Sequence, residues 1–152
     1  MSQSNPIKLF VTHFWEENED YFRVFEYLES DSNFYYKNFS SPDRHPPAGD
    51  KEAVREDLRK QIAPAEVLIV PAAHVERYGE IVMFQVNYAK SQDKPVVALE
   101  AYGLKVPVPK ALRDVADEVV EWDKRSLIDS IRRQARHEDT TRWDTIEFKL
   151  DD

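Results

Sequence analysis

The chain has 152 residues and a formal net charge of −8, from 21 basic and 29 acidic side chains, with no cysteine. That length suits one domain with a real core, and the acidic balance lacks the basic footprint that nucleic acid or an anionic membrane requires. Without cysteine there are no disulfides or thiolate metal sites; no stretch approaches the roughly 20 apolar residues of a membrane span, and the polar start MSQSNP carries no signal region, so a cytoplasmic soluble domain is expected.

Ile7-Lys8-Leu9-Phe10-Val11 predicts a first strand ending at Thr12-His13. Acidic residues in FWEENED then favour the positive end of a helix dipole, and Tyr21, Phe25 and Leu28 at i, i+4 and i+7 supply that helix's buried face. Phe34-Tyr35-Tyr36 predicts a short aromatic second strand near a sheet edge. The polar, proline-rich run from Asn38 to Asp50 predicts a long loop, of a kind usually tied to function. Asp50 is the expected N-cap of a helix to about Ile62, with Val54, Leu58 and Ile62 as its stripe and Pro64 after its end.

Val67 to Val70 and Val96 to Leu99 are continuous apolar runs of strand length. They bracket a helix with Val82, Val86 and Ala89 on one stripe, as in neighbouring parallel strands buried on both faces. Gln85 lies on an adjacent stripe, where it looks across the carboxyl ends of the strands. A loop from Glu100 to Pro109, a short helix at Lys110–Val115 and a strand at Glu118–Glu121 follow. Asp123 opens a last helix with Leu127, Ile128, Ile131 and Ala135 inward. The alternation predicts an α/β doubly wound sheet of five parallel strands with helices on both faces, spanning residues 1–136. Residues 137–152 form a tail in which Ile146, Phe148 and Leu150 alternate with charged residues, the spacing of an added strand.

Ligands of such sheets bind outside the carboxyl ends of the strands, where strand order reverses. Glycine is present only at 49, 79 and 103, which excludes both G-x-G-x-x-G and a P-loop. The strand ending Ile69-Val70-Pro71 has no phosphoacceptor aspartate, and the histidines show no metal-ligand spacing, so no metal is expected. What remains at the sheet's mouth is His13, Phe14, Trp15, Asn38, Ser40, His74, Gln85 and Tyr102. Aromatic rings beside hydroxyl and amide groups suit a nucleotide, with a base to stack and a ribose to hydrogen-bond.

Five stretches, in order, carry a resemblance to a known family: LFVTHFWEENEDYFRVFEYLES, YKNFSSPDRHPP, VREDLRKQIAPAEVLIVPAAH, FQVNYAKSQDKPVVAL and ADEVVEWDKRSLIDSIR, spread over roughly residues 7 to 133. The chain resembles the TIR-like family related to the Thoeris antiphage TIR proteins, within the Toll/interleukin-1 receptor superfamily. The resemblance implies the flavodoxin-like form of the doubly wound sheet, and NAD⁺ as substrate, cleaved at the nicotinamide–ribose bond to give an ADP-ribose-derived messenger. It also implies a homo-oligomer, a phage component as activator and a separate effector that reads the product. The family's catalytic glutamate is followed by an aliphatic residue and, four positions on, by alanine. Here that segment is Gln85-Val86-Asn87-Tyr88-Ala89, and the family's aromatic four residues earlier is Ile81.

Glutamine keeps the shape of glutamate but is neither a charge nor a base, so it cannot stabilise an oxocarbenium-like transition state. Gln85 therefore marks either a substituted ligand trap or a natural pseudoenzyme. A shifted register with Glu80 or Glu76 catalytic is the remaining option, although Glu80 lies about 140° round the helix from Gln85. His13, Phe14, Trp15, Asn38, Ser40, His74 and Tyr102 would line the pocket, with the loops near Asp43 and Tyr102 closing it. The rival classes are a non-catalytic TIR-like binding or assembly module and a nucleoside deoxyribosyltransferase-like enzyme.

Overall fold

A computed structural model of the chain describes residues 2–15, 18–42, 50–103 and 107–137. The expected strand at 146–150 and the loop position Asp43 lie outside the described residues. Five parallel strands, β1 (Ile7–Val11), β2 (Tyr36–Asn38), β3 (Val67–Pro71), β4 (Val96–Leu99) and β5 (Glu118–Val120), form one sheet in the order β2-β1-β3-β4-β5. The helices are α1 (Glu19–Glu29), α2 (Lys51–Ile62), α3 (Ala72–Ser91), α4 (Lys110–Arg113) and α5 (Lys124–Arg136). The doubly wound α/β architecture is as expected.

Side chains alternate across the sheet and build two cores. Ile7, Leu9, Val11, Val67, Ile69, Val97 and Leu99 face α1 and α5, where Val24, Leu28, Leu127 and Ile131 meet them. Phe10, Leu68, Val70, Val96 and Ala98 face α2, α3 and α4, against Leu58, Ile62, Val82, Val86, Ala89 and Leu112. With both faces covered, β3 and β4 have no polar side to show, which explains their uninterrupted apolar runs. The chain leaves β1 for one face and returns from β2 over the other. The reversal of strand order therefore falls between β1 and β3.

Two boundaries differ from expectation by two residues, and the ends of β3 and β5 by one. The second strand is Tyr36–Asn38 rather than Phe34–Tyr36, because Asp31 holds the preceding backbone in a turn: its side chain accepts the Asn33 N–H at 2.8 Å and its carbonyl the Phe34 N–H at 3.4 Å. Phe34 is still buried, but as a plug under α1 and α5 rather than as a strand residue. The fourth helix is a single turn, Lys110–Arg113, shorter than the run to Val115. Asp50 and Asp123 cap α2 and α5 as expected, accepting from Ala53 and Ser126 backbone N–H groups. Among the described residues, no helix is long and apolar enough to cross a membrane.

Candidate functional site at the strand-order switch

Gln85 sits in the middle of α3 and is fully buried. Its Oε1 accepts the backbone N–H of His13 at 3.1 Å, and its Nε2 donates to the His13 carbonyl at 2.7 Å and to the Ile81 carbonyl at 3.1 Å. The assignment of oxygen and nitrogen is unambiguous, since flipping the amide would set N–H against N–H and oxygen against two carbonyls. One side chain thus pairs with both backbone groups of the second residue after β1, much as a neighbouring strand would. Gln85 reaches the end of the first strand, as its stripe on the helix predicts. Its polar atoms are spent on the backbone there.

His13 is itself buried, and its Nε2 lies 2.8 Å from Oε1 of Gln61 on α2. The same oxygen accepts the Ser41 N–H at 3.0 Å, while Gln61 Nε2 donates to Asp57 at 2.9 Å. Because that oxygen is fixed as an acceptor, His13 must donate, and its proton is on Nε2. Gln61 therefore ties together β1, the segment after β2, and α2.

His74, in the first turn of α3, is buried between Thr12 and Asn18. Asn18 is the N-cap of α1, and its Oδ1 accepts from both Tyr21 N–H at 3.1 Å and His74 Nε2 at 2.8 Å. His74 thus carries its proton on Nε2, and Nδ1 accepts the Thr12 hydroxyl at 3.0 Å. Burial, with His13 nearby, lowers its pKa to about 4, so the imidazole is neutral at pH 7.

The aromatic residues after β1 are packed on α3. Phe14 stacks on Tyr78 at 3.4 Å between ring centroids and meets His74 edge-on at 5.4 Å. Tyr78 has non-helical backbone angles (φ −134°, ψ 47°), a kink that divides α3. Trp15 meets His13 edge-on at 4.9 Å and holds a positive φ of 61°, unfavourable for a bulky side chain. Its indole N–H is buried without a hydrogen-bond partner among the described residues. A strained backbone and an unspent donor at a strand-order switch are features of binding sites.

At the end of β2, a closed ring of hydrogen bonds joins Asn38, Tyr21 and Ser40. Asn38 Nδ2 donates to the Tyr21 hydroxyl at 3.1 Å, the Tyr21 hydroxyl to Ser40 Oγ at 2.8 Å, and Ser40 Oγ to Asn38 Oδ1. Through Tyr21 and Asn18 this ring connects to His74. Seven of the eight residues proposed from sequence, all but Tyr102, therefore meet around the carboxyl ends of β1, β2 and β3. Tyr102 is half-exposed and packs on Arg23 and Trp122 instead. Glu80 points to solvent beside Lys51, 4.0 Å away, and Glu76 is exposed, so neither carboxylate faces the buried amide of Gln85.

Asn18, Gln61 and Thr12 are site residues that sequence reasoning missed. An N-cap signal was present at Asn18, just ahead of Glu19 and Asp20; nothing local marks Gln61 on the buried side of its helix. Among the described residues, no group of three or more histidine, aspartate or glutamate side chains is placed to hold a metal ion.

No protein-family model matches the sequence, and no curated protein matches it. Among solved structures, the chain is similar to a conserved protein from Enterococcus faecalis V583, with a TM-score of 0.56 and 10% identity over 85% of this chain and 99% of that one. It is also similar to the "putative pilus assembly-related protein" of Burkholderia pseudomallei K96243, with a TM-score of 0.53 and 12% identity over 89% of this chain and 92% of that one. At such identities the likeness establishes the α/β fold alone.

Proposed function

We propose that this chain is a TIR-like domain of the Thoeris antiphage type whose catalytic position has become a structural clamp. It takes NAD⁺ or an ADP-ribose-type nucleotide at the switch between β1 and β3 and works in the cytoplasm as a binding and assembly module, without cleaving the nicotinamide–ribose bond. The observation that carries this reading is the bonding of Gln85. Cleavage calls for a carboxylate aimed at a ribose that gains positive charge. Gln85 has no charge, and both ends of its amide are engaged by the His13 and Ile81 backbone. A carboxylate in the same place would face two carbonyl oxygens, so the local structure fits glutamine and not glutamate.

What remains fits binding. Trp15 offers a donor and an aromatic face, Phe14 a second ring, and the neutral His74 holds its proton position without excess charge. In this reading the domain assembles with copies of itself, responds to a phage component and acts beside a separate effector. The test is to incubate the full chain with NAD⁺ and follow nicotinamide by mass spectrometry, with NAD⁺ and ADP-ribose binding measured by calorimetry. Binding without nicotinamide release is expected. Release by the unaltered chain would overturn the loss of chemistry, and failure to bind either nucleotide would overturn the site.

A further inference from the structure

The exposed face formed by α1 and the ends of β4 and β5 carries chemistry that the nucleotide reading does not use. Phe22 and Tyr102 are large apolar side chains left 51% and 46% exposed. Phe22 adjoins Arg23 on α1, and the Arg23 guanidinium lies 3.7 Å from the centroid of Tyr102 and 5.8 Å from that of Trp122. Tyr102 and Trp122 meet edge-on at 5.6 Å, and Trp122 is anchored by donating its indole N–H to the Glu100 carbonyl at 2.6 Å. Tyr27 on α1 meets Trp122 edge-on at 5.5 Å, so an aromatic platform is assembled from three separate elements, and it already has a guanidinium stacked on it.

The surroundings are acidic. Glu19 and Glu26 lie about one turn before and after the Phe22–Arg23 pair, Glu100 is two residues before Tyr102, and Glu121 adjoins Trp122. All four are exposed, and no ion pair engages any of them among the described residues. Arg23 offsets little of this charge, because Asp20 already pairs with it. Aromatic faces attract cations, and a planar guanidinium gains stacking as well as charge attraction, which an ammonium does not. Unpaired carboxylates on the same elements add attraction for a basic chain and repel nucleic acid and anionic lipid.

We propose that this face docks a basic, arginine-bearing segment of another protein, whose guanidinium takes the place of Arg23 over Tyr102 while the flanking glutamates supply counter-charge. The internal Arg23 shows that the platform accepts that group. The proposal is independent of whether the other site binds a nucleotide.

The full chain can be titrated with an alternating arginine–serine peptide, and with its lysine counterpart, while backbone and Trp122 indole resonances are followed by NMR. The arginine peptide is expected to bind more tightly, with shifts confined to residues around Phe22, Arg23, Tyr102 and Trp122. Tyr102→Ala should weaken it about fivefold or more and abolish its advantage over lysine. Arg23→Ala should strengthen arginine binding more than lysine binding. Tyr102 is surface-placed, so an unchanged melting temperature would separate lost docking from lost folding. Equal affinity for the two peptides, shifts spread over the whole acidic surface, indifference to Tyr102→Ala, or no binding would each overturn the proposal. So would sedimentation showing a dimer of this chain that buries Tyr102 and excludes the peptide.

Discussion

Replacing Gln85 by glutamate tests the clamp directly. The amide makes two donor bonds, to His13 O at 2.7 Å and Ile81 O at 3.1 Å, and accepts one from His13 N–H, all in a fully buried position. An ionised carboxylate keeps only the accepted bond and sets an anionic oxygen against two carbonyls. The variant's lower-energy choice is to protonate and recover one donor bond. Holding a carboxylic acid neutral at pH 7, against an ordinary pKa near 4.3, costs about 4 kcal/mol, and the donor bond still missing adds about 1 kcal/mol. At pH 5 the protonation cost falls to about 1 kcal/mol, so the total is about 2 kcal/mol. The sign follows from a carboxyl pKa raised in the folded state: its penalty is absent below the unfolded pKa and grows as pH rises. Urea unfolding of both proteins, followed by tryptophan fluorescence at pH 7 and pH 5, should show Gln85→Glu destabilised by about 4–5 kcal/mol at the higher pH and by about half that at the lower. A loss under about 1 kcal/mol at both pH values would refute the clamp.

Three further outcomes follow from the same geometry. His74 has its pKa lowered to about 4, below the unfolded value, so its contribution is complete above about pH 6.5 and is lost as pH falls to about 4, a change of about 3 kcal/mol in urea-derived stability that His74→Gln should remove. Asn18→Ala removes the α1 cap and the acceptor for His74, and should lower stability by about 1–2 kcal/mol, read from thermal unfolding. Tyr21→Phe opens the Asn38–Tyr21–Ser40 ring and should cost about 1 kcal/mol, with faster exchange of the Ser40 amide as the local readout.

The fold was legible because a sheet buried on both faces leaves a mark on every strand. Val67 to Val70 and Val96 to Leu99 carry no polar residue, and the helix between them keeps its apolar stripe. The second strand slipped by two residues because burial and strand geometry are different properties. Phe34 has the first without the second. At the site, residue types point to the mouth of the sheet between β1 and β3, yet not to its wiring. The bonds from Gln85 to His13 and from Gln61 to His13 span 72 and 48 positions, and no local spacing encodes them. Tyr102 was grouped with the others because it follows a strand, but the β4 loop turns toward α1, where Arg23 takes it. Glutamine at 85 read as a deletion of charge; in place, it is a donor and acceptor matched to a peptide group.

The kink at Tyr78 gives α3 a mechanical character. His74 lies before the bend and bonds the Thr12 side chain; Gln85 lies after it and bonds the backbone of the next residue, His13. The helix therefore grips two consecutive residues of one segment from opposite sides of its own joint, like the two leaves of a hinge screwed to a single plank. Straightening or deepening the bend would strain one of these two contacts, so the bend of α3 and the path of the chain after β1 are coupled through them.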